Sequence, residues 1–539
     1  MGQSKFTFNK SIPLLAAVVI LLLSVFLIND SALHHTNGVF TYPLDDTYIH
    51  MAVAKNLAFH NNWGINSHDF GSASSSILYT LLLALSFKIF SLQVTIPLII
   101  NLIVGIVLLI VIQRILQKEN IGAGGQFLML LSVIFFTPLP ILIISGMEHT
   151  LQCLFSLLFI YSFSKWIERS GNSDKKSVLP WQIVIYGTLV CTVRYEGMFL
   201  VAIACIILLF NKRIASAFKL GLISLLPIII FGIYSVSKGS YFLPNSVLLK
   251  SDGLTFSLNG ITRFISNIFI ERLTVSKTGI TALATQRLLI ILPLTYLVFI
   301  KQIQRKASYK YMLIILTVGT LLHLSFASTG WFYRYEAYLI LCSTMVISIL
   351  IIKYGKEVLS ENMRKARPAL LLALFVLSFP LVLRSTAAFS KASQACVNIY
   401  EQQYQMATFL KEYYDSSSVA ANDIGAITYF TKANNLDLWG LGNIDVAKSK
   451  KNKYWTPAFL DSLSKKKDVK IAMVYDSWFN DSLLHRWEKV ATWEINDNVI
   501  CGDDIVSFYA IDKNSVPSLK KNLQDYQHVL PKDVQVMYY

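Results

Sequence analysis

Apolar stretches of about 15 to 20 residues recur from Ser11 to Arg384, and after Arg384 that texture stops. A helix needs about 20 residues to cross about 30 Å of hydrocarbon, so these runs require the chain to be threaded through a bilayer. The residue balance agrees. Hydrophobic residues make up 54% and charged residues 15%, with a mean hydropathy of +0.51, whereas soluble domains are about 25% charged. The expected fold class is a polytopic α-helical membrane protein of about eleven transmembrane helices, followed by a C-terminal extracytoplasmic α/β domain.

Spans are expected near 11–29, 94–113, 126–145, 149–167, 180–194, 197–211, 217–236, 287–301, 309–327, 335–353 and 368–385. The net charge of +16 does not point to nucleic acid, because the basic residues form short clusters between apolar runs rather than one contiguous patch. Examples are Lys5/Lys10, Arg114/Lys118, Lys165/Arg169 and Arg364/Lys365/Arg367. With the N-terminus inside, every cluster falls on the cytoplasmic side. This parity requires the apolar stretch Ile77 to Phe90 to lie at the outer surface rather than cross. Lys5 and Lys10 precede a run too long for a signal peptide, with no A-x-A-like site after it, so a retained first helix is expected.

Two divisions follow: a membrane module over 1–385, whose first outer loop is 30–93, and an outer α/β domain over 386–539. In the outer domain 418–421, 436–438, 469–475 and 505–510 read as strands, with Asp423 capping a helix from Ile424. Cys153, Cys191, Cys205 and Cys342 lie in apolar runs, whereas Cys396 and Cys501 fall in the outer domain, where a disulfide is open.

Nearly every unusual polar residue maps to the outer face, where charges at helix ends hint at function. Asp45 and Asp46 stand side by side in Pro43-Leu44-Asp45-Asp46-Thr47-Tyr48. Neighbouring carboxylates shift each other's pKa, which suits a general base, but an Asp pair also caps a helix well. Arg194 with Glu196 reads either as part of a pocket or as an ion pair steadying a turn. Lys250 reads as a phosphate-binding cation or an interfacial lysine. Arg334, beside Trp331, Phe332, Tyr333 and Tyr335, reads as a further cation or as part of an aromatic belt. The first loop holds His34, His35, His50, His60 and His68, which leaves a divalent metal open, although none has a recognisable ligand spacing.

The run Asp45-Asp46-Thr47-Tyr48-Ile49 through Asn56-Leu57, with Gly64-Ile65-Asn66 and Ser74-Ser75-Ser76, resembles the first periplasmic loop of bacterial GT-C glycosyltransferases. Within them it is nearest the arabinofuranosyltransferase and protein O-mannosyltransferase-like branch. Gly146-Met147-Glu148, Arg194-Tyr195-Glu196-Gly197, Leu243-Pro244-Asn245-Ser246 with Lys250, Asn422-Asp423-Ile424-Gly425 and Asp437-Leu438-Trp439-Gly440-Leu441 extend the likeness in order. Departures are Ala52, Tyr195 and Ile77-Leu78-Tyr79, where relatives often carry Arg, Pro and Pro-Leu-Trp.

The resemblance implies an inverting enzyme of the bacterial inner membrane. It would take a sugar from a polyprenyl-phosphate donor and give it to an extracytoplasmic glycan, lipid or protein, with membrane lipids around it and no certain cofactor. Asp45 would be the general base and Asp46 would orient the acceptor. Tyr48, Glu148, Arg194, Glu196, Asn245, Lys250 and Arg334 would bind substrate. Cations fit that role, because charge develops on the departing phosphate. A transporter or lipid flippase is the rival, but such proteins often show internal repeats and broken midplane helices, and neither is evident. An assembly protein whose outer domain binds a partner is a third reading.

Overall fold

The computed structural model describes residues 11–172, 178–249, 279–358, 367–479 and 481–539. Each of the eleven expected segments coincides with helix, the third being broken near Pro138 into Ala123–Phe136 and Leu139–Ile144. Among the described residues six helices are long and apolar enough to cross a membrane: Ile12–His35, Ile96–Lys118, His149–Ser170, Ile214–Ser237, Ala307–Phe326 and Ala337–Val358. Trp181–Val193 and Gly197–Phe210 are shorter. The eleven expected segments therefore hold in position, several of them as helices of only 13 or 14 residues. Leu15, Phe26, Ile103, Phe210 and Leu222 point outward and exposed, the pattern of side chains that face lipid.

The stretch Ile77–Phe90 is a helix of 14 residues packed against the Asp45–His60 helix of the first outer loop. It buries Tyr79, Leu83 and Phe87 and leaves Leu81, Leu85 and Ile89 outward. At the other end of the module Arg367–Ile399 runs as one helix of 33 residues through position 385. A π-turn, Tyr400–Tyr404, and the helix Gln405–Tyr413 then carry the chain into the outer domain.

That domain is built on a six-stranded sheet: β1 (Ser418–Ala421), β2 (Asn434–Asp437), β3 (Val469–Val474), β4 (Glu488–Glu494), β5 (Ile505–Ala510) and β6 (Gln535–Tyr538), in the order β2-β1-β3-β5-β4-β6. β1 pairs parallel with β2 and β3, and the remaining pairs are antiparallel. Its core gathers aromatic rings around fully buried Trp493, with Phe508 at 4.4 Å and Tyr526 at 5.8 Å between centroids. Burying rings of this size contributes several kcal/mol, on the order of 3–5 each by truncation. Cys396 and Cys501 are both free thiols, so the disulfide left open by the sequence does not form; Cys501 Sγ instead lies 3.3 Å from Gln403 Oε1.

Candidate active site

The first turn of the Asp45–His60 helix carries both carboxylates. Leu44 enters that helix in extended backbone and no side chain caps it, so neither Asp serves its own helix as a cap. Asp45 Oδ2 accepts the backbone N–H of Gly425 at 2.5 Å, and Oδ1 that of Ala426 at 2.7 Å. These are the first N–H groups of the Gly425–Phe430 helix, whose own N-cap, Ile424, makes no side-chain cap bond. The cap expected from Asp423 is thus supplied by Asp45 from the membrane module. Asp423 instead accepts from Gln403 Nε2 at 2.8 Å and from the Tyr475 hydroxyl at 2.9 Å. A Cβ on Gly425 would come within 2.0 Å of the Asp45 carbonyl oxygen, a close approach that requires glycine. Burial, and then the charge of Asp423, push the Asp45 carboxyl well above the usual carboxylate range.

Two cavities meet at this turn. The first, of about 380 Å³, is lined by Asp46, Ile49 and His50 from one helix face, by Arg194, Glu196 and Arg334, and by the apolar Met198, Phe199, Leu322 and Phe326. The second, of about 430 Å³, lies between the modules, where Asp45 and Asp46 meet Asp423, Gln403 and Trp439. Asp46, Ile49, Ser328, Tyr335 and Leu441 line both. Asp46 pairs with Arg334 Nη2, whose side chain is buried. Tyr335 lies beneath both guanidiniums, its ring centroid 4.9 Å from Arg334 and 5.2 Å from Arg194.

Arg194 is committed to carboxylates. Its Nη1 donates to Glu148 at 2.8 Å, and its Nε and Nη2 donate to Glu196 at 3.0 and 2.6 Å. Glu148 lies wholly buried behind the first cavity, also accepting from Ser75 Oγ at 3.0 Å, with His50 Nε2 3.4 Å away. The ion-pair reading of Arg194 and Glu196 is therefore present in a wall of the cavity. Arg334 Nε, by contrast, is a buried donor with no hydrogen-bond partner.

Arg334 does not belong to a membrane-interface belt, because it is 1% exposed and held by Asp46. Its loop is unusual. Gly330, Trp331, Phe332 and Tyr333 all take positive φ, between 40° and 84°, at a cost of about 1 kcal/mol or more for each non-glycine residue. A buried ion pair holds this conformation. Glu336 accepts from Arg384 Nε at 2.9 Å and from the Gly330 N–H at 3.0 Å, while Arg384 Nη2 donates to the Tyr333 carbonyl.

Tyr48 lines neither cavity. It is fully buried, its hydroxyl accepts the Tyr42 N–H at 3.0 Å, and its ring packs on Phe430, so it belongs to the seam between modules. Asn245 stands outside both cavities, its Nδ2 donating to the Leu441 carbonyl at 3.3 Å. Lys250 lies outside the described residues. The Asp437 motif proves to be a folded loop: its carboxylate accepts from Trp439, Gly440 and Gly442 N–H groups at 2.8, 3.0 and 2.6 Å, which places Leu441 in the wall of the first cavity. Sequence reasoning missed Trp478, Gln403, Tyr335 and Leu441 as lining residues. Among the described residues no three His, Cys, Asp or Glu side chains gather to hold a metal ion.

This arrangement, of a helical module under a mixed sheet domain, matches known folds. The Archaeoglobus fulgidus oligosaccharyltransferase superposes over 94% of this chain and 75% of its own, at 11% identity and a TM-score of 0.50. ArnT from Cupriavidus metallidurans, solved bound to undecaprenyl phosphate, superposes over 93% and 98%, at 9% identity and a TM-score of 0.52. The chain has the GT-C fold. In this GT-C fold residues 397–509 match a family described only as a domain of unknown function, DUF8728, which covers most of the outer sheet. No curated protein matches the sequence.

Proposed function

We propose that the protein transfers a glycosyl group from a polyprenyl-phosphate donor to an acceptor hydroxyl on the outer face of the cytoplasmic membrane. One observation carries this reading: Asp46 and its partner Arg334 stand in the wall between an arginine-bearing, apolar cavity and a carboxylate-lined one. The undecaprenyl phosphate held by ArnT, which shares the fold, supports a lipid phosphate in the first cavity. The parity of basic clusters supports a cytoplasmic N-terminus and an outer domain over 386–539 facing away from the cytoplasm.

The donor phosphate lies at Arg334, whose unpartnered Nε is a ready donor. Asp46 takes the proton from the acceptor hydroxyl as its oxygen attacks the anomeric carbon. The bond to the phosphate oxygen breaks with its electron pair on the phosphate, where the guanidinium stabilises the charge. A single displacement inverts the anomeric centre. The sequence reading gave the base to Asp45, but both its oxygens already accept backbone N–H groups of the outer domain. Its role here is to hold that domain over the reaction. Arg194, Glu148, Glu196 and His50 keep the wall rigid.

The test is Asp46→Asn in the native host, with mass spectrometry of polyprenyl-phosphate sugars and envelope glycoconjugates. The expected result is an accumulated lipid-linked sugar and a glycoconjugate lacking that sugar. Unchanged profiles with folded protein present would remove the transferase reading. Loss of transfer in Asp45→Asn but not in Asp46→Asn, with the outer domain still docked, returns the base to Asp45.

A further inference from the structure

The two cavities differ in charge. The first is lined by arginines paired with carboxylates, Arg194 with Glu196 and Arg334 with Asp46. Among the described residues the second is lined by Asp45, Asp46 and Asp423 and by no arginine or lysine, Lys450 Nζ lying 3.0 Å over the Trp439 ring. With Asp46 held by Arg334 and Asp45 engaged by backbone N–H groups, Asp423 is the carboxylate that opposes an anionic acceptor there. The second cavity also carries Trp331, Trp439 and Trp478, the last two with ring centroids 4.6 Å apart. A Cβ on Gly502 would come within 2.7 Å of the Trp478 ring, so glycine there clears the seat of that indole.

Beside these rings stand planar polar groups. Asn422 lines the cavity at 4% exposure, and its Oδ1 accepts the Tyr475 N–H at 3.0 Å, which fixes the amide. Its Nδ2 has no hydrogen-bond partner. A buried donor left unsatisfied costs about 1–3 kcal/mol, so the site is built for an acceptor atom brought by a ligand. Gln403 donates to Asp423 at 2.8 Å, and the two present one hydrogen-bonded polar edge to the cavity.

We infer, resting on the transferase reading above, that the acceptor is an uncharged saccharide whose ring stacks on these tryptophans and whose hydroxyls meet Asn422, Gln403 and Asp423. The volume of about 430 Å³ falls within the range of about 300–1,000 Å³ typical of small-ligand sites. Apolar C–H faces of a pyranose match indole surfaces, and the hydroxyl that reacts would be turned toward Asp46 in the shared wall.

The experiment uses the full-length protein in nanodiscs, with maltotriose, chitotriose and mannotriose as neutral probes. Trigalacturonate and a threonine-containing peptide are the contrasting probes, and saturation-transfer NMR with tryptophan fluorescence is the readout. At least one neutral probe should bind saturably at millimolar concentration, and trigalacturonate and the peptide should not. Asn422→Ala and Trp331→Ala should each weaken that binding roughly five- to tenfold. Trp331 is 44% exposed, so its replacement removes little packing. Saturable binding by none of the neutral probes, binding of trigalacturonate or the peptide instead, or saccharide binding untouched by both variants overturns the inference. Undecaprenyl phosphate binding is measured on the same samples. Its presence without saccharide binding strikes this inference alone, and its absence alongside saccharide binding strikes the transferase reading.

Discussion

Asp45 Oδ2 accepts the backbone N–H of Gly425, 380 residues further along the chain, so a side chain of the first outer loop caps a helix of the C-terminal domain. The cap couples the modules at the spot where the second cavity opens. A Cβ at Gly425 would meet the Asp45 carbonyl at 2.0 Å and its Oδ2 at 2.7 Å, and the carbonyl belongs to a backbone that cannot swing aside. Gly425→Ala should cost about 2–3 kcal/mol of docking. Hydrogen exchange should rise in 425–430 and in the first turn of the Asp45–His60 helix, with the membrane helices unaffected. Unaltered exchange in both segments would show that the cap does not hold the domain.

The pairing of Arg194 sets a second expectation. Glu148 is wholly buried and accepts from Arg194 and Ser75. Removing Glu148 strips the buried Arg194 of one of its two carboxylates and leaves Glu196 as the other, so the cost falls below that of a buried pair broken outright, about 3–5 kcal/mol. Glu148→Ala should therefore lower the thermal midpoint in detergent far more than Glu357→Ala, whose partner Arg305 is exposed. Equal midpoints for the two variants would mean that water reaches Arg194.

Much of this site was legible in the sequence only as a set of short motifs on one face. The adjacency of Asp45 and Asp46 was visible, but their division of labour depends on contacts 380 and 288 residues away. Arg334 read either as a substrate-binding cation or as part of an interfacial belt, because its aromatic neighbours are local and its carboxylate partner is not. Tyr48 was drawn in by its place in the motif, yet at three residues past Asp45 it turns into the seam between modules. Apolar runs announced β1, β3 and β5. β4 begins and ends on Glu488 and Glu494, and β6 ends the chain as an edge strand with alternating exposure, so neither looked buried.

The Asp437 loop offers a third test. One carboxylate collects three N–H groups, and Gly440 at φ +92° turns the chain so that Leu441 reaches the first cavity. Asp437→Ala leaves those donors without their acceptor, at about 2–3 kcal/mol in total, since hydrogen bonds to a charged group are the stronger kind. Exchange over 438–442 should rise while β3 and β5 stay protected. Protection that persists in the loop would show that packing alone forms it.

Glu401 gives the pH dependence its sign. Burial, and then the charge of Asp533, push its carboxyl up to about 7 from an ordinary value of 4.5. A raised carboxyl binds its proton more tightly in the folded state. Its contribution to stability is therefore complete below about 4.5 and is lost as the pH rises through about 7. Glu401→Gln keeps the neutral shape at every pH, so it should match the parent protein at pH 4.5 and exceed it at pH 8. Partial solvent access reduces the full linkage value to about 1–2 kcal/mol. Thermal midpoints of the two proteins at pH 4.5, 6, 7 and 8 check this, and curves that stay parallel across that range would show that Glu401 is ionised in the folded protein throughout.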